Sequence, residues 1–555
     1  MKTLAAIACL SVLSLAALPE IRVNTMNNVA ISSTSANWKG AGNCVTTNTF
    51  IHKYAPMSLT LTDPSNSRNN ISVSGFADSI RMRGNSTAVS SISKKPYRIK
   101  FSEHQSMFGT KKHRSWALLA NWYDPTFALN AVAFELGKRM GLPGTPNHFF
   151  VDLYLNGNYR GIYQVTDIVQ VNKGRVEVDT TAGWLAEFDY HCPSDKDEVD
   201  FLTAYPTSQA SAAYNWTVQL HTFIKSPETN YQFVKDQINQ LTATMFNKSG
   251  FPENGYRDLV DLDSYAKYIM VELFMDNFDF ICKADTNGLA SNFAHKDKGG
   301  KIIAGPLWDL DLTAGVDDKK NFPKHFQYYD YAIKPKHPYY RRFFDDPVFL
   351  AKWKKTWDKY KPDFQDMTKF MDSIATYVEG SVEKNFALQK GGGSYYTPEA
   401  PATKQAYKDG VGKLKTWWNN RINFFQQEMT KMNIDISKDI VEPSSSSSKP
   451  ASSSSIAKSS SSSSNKSSSS GNSSSSYGNK SSSSIEDISS SSEDTDITPI
   501  LIGNTIVLRN LPSNTKIEVY NLQGKRVSFP VQTKGIYIIR TTHGSEKKIQ
   551  RMVVK

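Results

Sequence analysis

Two aspartates separated by a single residue, Asp309 and Asp311, stand in an otherwise apolar run that ends at Gly315. If this run is a strand, side-chain alternation places both carboxylates on one face, roughly 6–7 Å apart. Unpaired carboxylates in apolar surroundings repel one another and are costly to bury. A divalent cation offsets that cost, and Mg²⁺ prefers one or two carboxylates together with phosphate oxygens. The run therefore predicts a metal–phosphate site; the alternative is a strand end whose aspartates face water or cap the next turn.

A second acidic segment, Asp276-Asn277-Phe278-Asp279, stands at the end of a predicted helix, and Asn292 follows it along the chain. In phosphoryl transfer, an acid followed by an asparagine in a nearby loop serves as base and metal ligand. Helix capping and ordinary turn chemistry are the alternative interpretation of these residues.

A basic segment lies far upstream, where Arg83-Gly84-Asn85-Ser86-Thr87 precedes Lys94-Lys95-Pro96 and the strand-like run that ends at Phe101. A glycine-containing turn with amide and hydroxyl donors, followed by lysines, holds phosphate oxygens well. The alternative is a surface hairpin with solvated lysines.

The elements that position these residues are predicted from hydrophobic periodicity. Alternating runs predict strands at 79–83, 96–101 and 149–155, and Asn156-Gly157-Asn158 predicts a hairpin turn before the return strand at 159–163. Helical spacing predicts helices at 127–140, 261–277, 347–360 and 412–432, the first capped by Asp124 and opened by Pro125. The fold class is therefore α+β, strand-rich first and helix-rich later.

The chain has 555 residues, too many for one ordinary core. Residues 1–18 have the basic start and short apolar run of a secretory signal peptide, and no later run is long enough for a transmembrane segment. Without the signal, three cysteines remain (Cys44, Cys192 and Cys282), so at most one intramolecular disulfide forms.

The net charge is +12, but the lysines are scattered along the chain. This scatter argues against nucleic-acid binding, and the positive charge favours a phosphorylated ligand or an anionic surface.

Composition divides the rest of the chain into three parts. Residues 19–440 form the mixed α+β domain. Residues 443–494 are nearly pure serine and predict a disordered linker, because such a tract buries too little apolar surface to order itself. Residues 496–555 regain strand periodicity and predict a small all-β sandwich, with strands at 504–508, 516–520, 535–539 and 549–554.

Several ordered blocks resemble the CotH family of secreted or spore-associated kinase-like proteins. The resemblance spans about residues 19–430, although the HRD and DFG motifs of protein kinases are absent. The blocks that carry it are Arg83-Gly84-Asn85-Ser86 with Lys95-Pro96-Tyr97, Trp116 to Asp124, Asn156 to Tyr163, Asn277-Phe278-Asp279 and Trp308-Asp309-Leu310-Asp311. The C-terminal part resembles the sorting domains of Bacteroidetes-type and related secretion systems, through Val519 to Lys525 and Lys534 to Tyr537.

The resemblance implies a divergent protein-kinase-like fold and an atypical serine protein kinase. This enzyme would transfer the γ-phosphoryl group of ATP, with Mg²⁺ or Mn²⁺, to serine of secreted or surface proteins. Asp279 is implied as the catalytic aspartate, and Asn292, Asp309 and Asp311 as metal ligands. The residues implied at the nucleotide phosphates are Lys95 or Lys100 as direct contacts, Arg83 and Ser86 as shapers of the loop, and Glu135 as the ion-pair partner of the lysine. The family often has Glu where this chain has Asp167, which puts that contact in doubt. Export machinery is the partner expected for the C-terminal domain.

Two other functions are open at this stage. A non-catalytic scaffold for a cell surface or polysaccharide is supported by the external location and by the many aromatic residues. A glycoside hydrolase ranks last, because its two carboxyl groups flank the bond from opposite sides, whereas Asp309 and Asp311 are predicted on one face. The serine tract is either an autophosphorylation substrate or, as we favour, a spacer.

Overall fold

The computed structural model describes residues 17–39, 45–84, 94–189, 199–203, 220–226, 230–246, 249–281, 289–315, 333–335, 337–388, 401 and 403–439, together with C-terminal strands between 498 and 554. The chain divides into two compact units, Met1–Ser446 and Ser447–Lys555. The predicted α+β class is confirmed. Ser86, the cysteines Cys44, Cys192 and Cys282, and the serine tract lie outside the described residues.

A closed β-barrel forms the first half of the first unit, and its strands follow one another in the order β1-β4-β5-β6-β7-β9-β8. Neighbouring strands are antiparallel except for β1 and β8, which run parallel and close the barrel. The barrel strands are β1 (Glu20–Thr25), β4 (Ala55–Thr62), β5 (Ile71–Met82), β6 (Tyr97–Gln105), β7 (His113–Leu119), β8 (His148–Leu155) and β9 (Asn158–Asp167); β2 (Ser33–Lys39) and β3 (Val45–His52) pair separately.

Alternation along these strands sends apolar side chains into the barrel. Ile21 and Val23 on β1, Met57 on β4 and Ile99 on β6 are fully buried there. The residues between them point outward, and in β5 and β6 this outer face carries Arg81, Arg98 and Lys100. The barrel therefore has an apolar interior and a basic outer face along two of its strands.

The predicted strands and hairpin of this region are confirmed, with longer strands than expected. Asn156 (φ 50°) and Gly157 (φ 77°) both adopt left-handed backbone conformations between β8 and β9. A two-residue turn of this kind matches the right-handed twist of the strands that it joins.

Helix α1 (Leu129–Arg139) follows β7 and confirms the helix predicted at 127–140. Phe127 has a left-handed backbone (φ 59°), so Pro125 precedes the helix instead of opening its first turn. The Asp124 carboxylate still caps this end, because it accepts hydrogen bonds from the backbone N–H groups of Thr126 and Leu129, both at 2.8 Å.

The second half of this unit combines helices with a second sheet, ordered β11-β12-β10-β13-β14. Its strands are β10 (Trp184–Phe188), β11 (Val199–Leu202), β12 (His221–Ile224), β13 (Asn292–Lys296) and β14 (Ile302–Ala304). The helices are α2 (Tyr231–Phe246), α3 (Leu262–Phe274), α4 (Phe278–Ile281), α5 (Pro338–Phe343), α6 (Pro347–Ala387) and α7 (Lys404–Lys431).

Helix α6 is much longer than the 347–360 segment predicted from sequence. The apolar spacing continues beyond Pro362 through Phe364, Met367 and Met371, all fully buried. Burial of that stripe outweighs the hydrogen bond that a proline removes from a helix interior.

The second unit contains two small antiparallel sheets among its described residues. Strands β15 (Thr498–Ile502) and β16 (Thr505–Arg509) form one; β17 (Lys516–Asn521), β18 (Arg526–Val527), β19 (Gly535–His543) and β20 (Glu546–Val554) form the other, in the order β18-β17-β19-β20. The sandwich and its sorting role stay predictions. Among the described helices, none combines the length and the apolarity needed to cross a membrane.

Candidate active site

The segment that carries Asp309 and Asp311 is not a strand, which corrects the sequence prediction. Strand β14 ends at Ala304, and irregular backbone follows it up to Asp311. Asp309 has a left-handed conformation (φ 61°), which breaks the extended geometry on which side-chain alternation depends. The two carboxylates are still electrostatic neighbours, since the negative charge of Asp309 raises the pKa of Asp311.

Asp311 lies among three other acids. Burial, followed by the negative charges of Asp309, Asp124 and Asp279, raises its pKa well above the ordinary value. Acids from two distant segments of the sequence, near 279 and near 309, are therefore brought to one place. Such a concentration of negative charge needs a cation or protons to be stable.

Asp124 is the member of this group that sequence analysis assigned to capping alone. It is 1 % exposed, and its two oxygens already accept hydrogen bonds at the start of α1. Burial raises its pKa, while the hydrogen bonds from Thr126, Leu129 and Phe127 act to lower it. Asp124 therefore adds charge beside Asp311 while its oxygens stay committed to the helix end.

Arg83 is the positive group opposite the acids. Its guanidinium lies 5.2 Å from the centre of the Trp308 ring. Burial lowers its pKa, and the charges of Asp309 and Asp311 oppose that shift. Arg83 is thus placed between the end of β5 and the acidic segment, where it can bind a group shared with those acids.

Two further arginines adjoin Arg83. Arg81 on β5 and Arg98 on β6 are directly paired across the two strands, and both lower the pKa of Arg83 through charge repulsion. Like charges directly opposite on a sheet are destabilising. An anion at this face relieves the repulsion. Sequence analysis did not single out these two residues, although β5 and β6 alternation already placed them on one face.

Asp279 and Asn292 are connected through the backbone. The N–H of Asp279 donates to Asn277 Oδ1 at 3.1 Å, and its carbonyl accepts from Ala290 N at 3.1 Å. Asn292 Nδ2 in turn donates to the Ala290 carbonyl at 2.6 Å. The half-buried Asp279 and the buried Asn292 are thus held on adjoining segments.

The two lysines predicted as phosphate contacts lie on β6 or just before it. Lys100 is exposed and lies over the Tyr54 ring, 5.8 Å from its centre. Lys95 is half-buried, with its carbonyl accepting from the Tyr163 hydroxyl at 2.7 Å. The more buried lysine of this pair is Lys94, whose Nζ donates to the carbonyls of Ala120 (2.8 Å) and Ile162 (2.6 Å). Burial lowers the pKa of Lys94 to about 7.

Glu135 corrects a second expectation. Its carboxylate forms an ion pair at 2.7 Å with Arg139, one turn later on α1, instead of orienting a phosphate-binding lysine. Arg139 also bonds Asp366 on α6 at 2.8 Å. The residue of α1 that reaches the acids is Asn130, so the helix contacts the site through a different face.

Asn130 was missed by sequence analysis. Its Oδ1 accepts the backbone N–H of Leu310, between the two aspartates, at 2.9 Å. Asn130 Nδ2 approaches Asn121 Oδ1 at 3.5 Å, and Asn121 donates to Gln164 Oε1 on β9 at 3.1 Å. This buried row of amides links the barrel and α1 to the acidic loop. The available signal was a polar residue inside the apolar run Leu129-Asn130-Ala131-Val132.

Asp167 stands at the position where the resemblance implied a glutamate. The shorter Asp167 carboxylate forms a buried ion pair with Arg175 at 3.0 Å and accepts the backbone N–H of Asn147 at 2.9 Å. Its role in this chain is therefore structural.

The oxygen donors near Arg83 fit a hard divalent cation. Within the described part of the chain, no group of three or more His, Cys, Asp or Glu side chains forms a metal site by itself. Mg²⁺ does not require such a cage, because it usually takes one or two carboxylates and completes its shell with water and phosphate oxygens. Asp309 and Asp311 suit that mode of binding, whereas the Asn292 side chain bonds the Ala290 carbonyl and the Tyr268 hydroxyl.

Comparison with known protein families gives one match, to the model described as CotH kinase protein, over residues 80–425. A search of the curated proteins found no match. The family match covers more than half of the 555 residues and includes α1, both acidic loops and most of α7. The chain therefore belongs to the CotH kinase family.

Proposed function

We propose that this member of the CotH kinase family is a secreted or surface-associated serine kinase with a divergent protein-kinase-like fold. It transfers the γ-phosphoryl group of ATP to serine residues of extracellular proteins. The observation that carries the proposal is the meeting of Asp279, Asp309 and Asp311 opposite Arg83. Acids from two segments and the Arg83 guanidinium from a third segment form an arrangement that can position phosphates.

Asp309 and Asp311 are the residues that would hold a divalent cation, with Asn292 as the predicted amide ligand from the adjoining strand. A cation held there would supply positive charge to offset the negative charge of the phosphates. Ser291 Oγ donates to Asp309 Oδ2 at 3.3 Å, which orients that carboxylate. Asp309 is the stronger ligand candidate because this bond leaves its other oxygen available.

Arg83 holds the phosphate chain from the barrel side. A guanidinium offers several N–H donors in a fixed plane and keeps its charge at neutral pH. Arg81 and Arg98 increase the positive potential at the same face. The arginines would thus attract an anionic triphosphate, and the acids would face it only with a cation held at Asp309 and Asp311.

Asp279 accepts the proton of the attacking serine hydroxyl. Asp279 is half-buried in the first turn of the short helix α4, and its backbone is bonded to Asn277 and Ala290. General base catalysis needs such a fixed acceptor within hydrogen-bond reach of the hydroxyl. The oxygen of the serine then attacks phosphorus, the bond to the β-phosphate oxygen breaks, and ADP leaves.

The remaining parts of the chain serve export in this proposal. A signal peptide directs the chain out of the cytoplasm, the serine tract is a spacer, and the C-terminal strands are recognised by export machinery. Serine-rich secreted or surface proteins are the expected acceptors. The support is the leader-like start and the composition of residues 443–494.

The proposal is tested by incubating the purified chain with γ-labelled ATP, Mg²⁺ and an extract of secreted proteins. Transfer of label to serine is expected, together with a thermal shift produced by Mg·ATP. Asp309→Asn is expected to abolish both signals. Asp358→Asn is the matched control, because Asp358 is an exposed residue of α6 that pairs with Lys354.

If the unaltered chain shows neither transfer nor a thermal shift with Mg·ATP or Mn·ATP, the kinase proposal is wrong. Binding of surface polysaccharide by the same preparation would then identify a scaffold.

A further inference from the structure

Glu272 is a buried acid that the proposed mechanism does not use. It lies in the last turn of α3 and is 1 % exposed. Its hydrogen-bond partners, the amide of Asn277 and the hydroxyl of Tyr268, are neutral. A buried carboxylate with neutral partners is costly to ionise, and the nearby negative charge of Asp279 adds to that cost.

On one side, Glu272 fixes the loop that carries Asp279. Asn277 Nδ2 donates to Glu272 Oε2 at 2.6 Å, and the backbone N–H of Asn277 donates to the Glu272 carbonyl at 3.1 Å. With its NH₂ group held in this way, Asn277 presents Oδ1 to the N–H of Asp279. The orientation of one amide is therefore set by Glu272 and transmitted directly to Asp279.

On the other side, Glu272 reaches Asn292 through Tyr268, which lies one turn earlier on α3. The Tyr268 hydroxyl donates to Asn292 Oδ1 at 3.2 Å. Asn292 Nδ2 is occupied by the Ala290 carbonyl, so its oxygen faces Tyr268. Ala290 N also donates to the Asp279 carbonyl, so Ala290 joins the contacts that start at Asn277 to those that start at Tyr268.

These contacts form a closed ring of hydrogen bonds behind the candidate base and the candidate metal ligand. Its members, in order, are Glu272, Asn277, Asp279, Ala290, Asn292 and Tyr268. A phenol has one proton, and in this ring it goes to Asn292. A protonated Glu272 can donate to the Tyr268 oxygen while the phenol keeps its own proton on Asn292.

We infer that Glu272, as a neutral carboxylic acid, is a positioning residue that fixes Asp279 and Asn292 relative to each other. The inference rests on the proposed function for its catalytic consequence, but the ring itself can be tested without activity. Burial raises the pKa of Glu272 to about 8, in agreement with a proton held at neutral pH.

The test compares Glu272→Gln with Glu272→Leu in the full chain. Glutamine can accept from Asn277 and donate to Tyr268, as the neutral acid does, whereas leucine can do neither. Hydrogen exchange, followed by mass spectrometry, is the first readout, at the peptides that contain Asp279 and Ala290. Glu272→Leu is expected to speed their exchange at least tenfold, and Glu272→Gln to restore most of the protection.

Kinetics is the second readout. Glu272→Leu is expected to lower kcat at least tenfold and to raise the Mg²⁺ concentration needed for half-maximal rate, while KM for ATP changes little. Glutamine is expected to recover most of kcat. Asn254→Leu is the control for loss of a buried polar group in the same half of the unit, since Asn254 Nδ2 bonds the Thr244 carbonyl instead.

Separate outcomes distinguish the two proposals. Unchanged exchange at both peptides in Glu272→Leu overturns the positioning role, whatever the activity. If Glu272→Leu fails to fold, the result for Glu272→Gln decides. Unprotected exchange at the Asp279 and Ala290 peptides of this variant would show that a neutral side chain at position 272 does not hold the ring. Altered exchange in a chain that never transfers phosphate supports the ring and rejects the kinase.

Discussion

The segment around Asp279 and the segment around Asp309 both bring carboxylates to the same site, but different parts of the molecule hold them. The first is fixed within its own half of the unit, through Asn277 and Glu272 on α3. The second is bonded to both halves, through Asn130 on α1 and Arg83 after β5 on one side and through Ser291 at Asp309 on the other. Asp279 is thus held by the helical scaffold, whereas Asp309 and Asp311 depend on the barrel and its helix as well.

This difference has a functional meaning. Changes at Asn130 or Arg83 are therefore expected to affect Asp309 and Asp311 more than Asp279, so that nucleotide binding and proton transfer can be disturbed separately. Variants at the two segments should therefore differ in which step they damage.

The largest effect is expected for Asp279→Asn. Removal of a general base lowers kcat about 10²–10⁴-fold, while the thermal shift with Mg·ATP is retained because Arg83, Asp309 and Asp311 are unchanged. Asp309→Asn should lose both phosphoryl transfer and the thermal shift with Mg·ATP. Calorimetry or thermal scanning with Mg·ATP, beside a label-transfer assay, makes the distinction. Equal loss of nucleotide binding in the two variants would show that the segments act as one unit.

A pH dependence of stability is expected from Glu272. Its pKa is about 8 in the folded protein against an ordinary 4.5, so the unfolded chain releases this proton first. Stability from this group therefore falls as pH rises from about 4.5 to about 8, by at most about 5 kcal/mol. The groups that face it are Asn277, Tyr268 and Asp279.

Urea unfolding across this pH range measures that contribution. Glu272→Gln should flatten the curve, since glutamine does not titrate. A slope that persists in the variant would assign the effect to other groups.

Asn130→Leu is expected to destabilise the fold by about 1–3 kcal/mol, because it leaves the buried N–H of Leu310 without an acceptor. It should also weaken the response to Mg²⁺, since Leu310 lies between the two aspartates. Asn130→Asp keeps an acceptor but adds a negative charge beside Asp311. Comparable Mg²⁺ affinity in the leucine variant and the unaltered chain would contradict a link from α1 to the metal segment.

Arg83→Gln is expected to raise KM for ATP about tenfold through loss of a charged hydrogen-bond donor to phosphate. Lys100→Gln serves as the comparison, because Lys100 is exposed beside Tyr54. A larger effect at Lys100 than at Arg83 would move the phosphate site along β6.

The smallest effect is expected for Glu135→Gln. A part-exposed ion pair with Arg139 contributes about 0–1 kcal/mol, so stability and kcat should change little. A strong loss of activity would restore Glu135 as a functional residue of α1.

Much of this architecture is local and was accessible from sequence. The alternating strands, the Asn156-Gly157 turn and the capping of α1 by Asp124 follow from backbone geometry and nearby hydrogen bonds. The length of α6 was underestimated because burial on both sides of Pro362 is a tertiary effect. Acidic residues at 279, 309 and 311 were identifiable by type and spacing.

What the sequence by itself determined is the set of chemical groups and the local elements, since periodicity, capping and turns act over a few residues. The tertiary structure decided which groups meet. It placed Arg83 against Trp308 and brought Asn130 to Leu310, across 180 positions of the chain. It also closed the ring through Glu272. Such contacts depend on packing between distant segments, for which a single sequence contains no local signal.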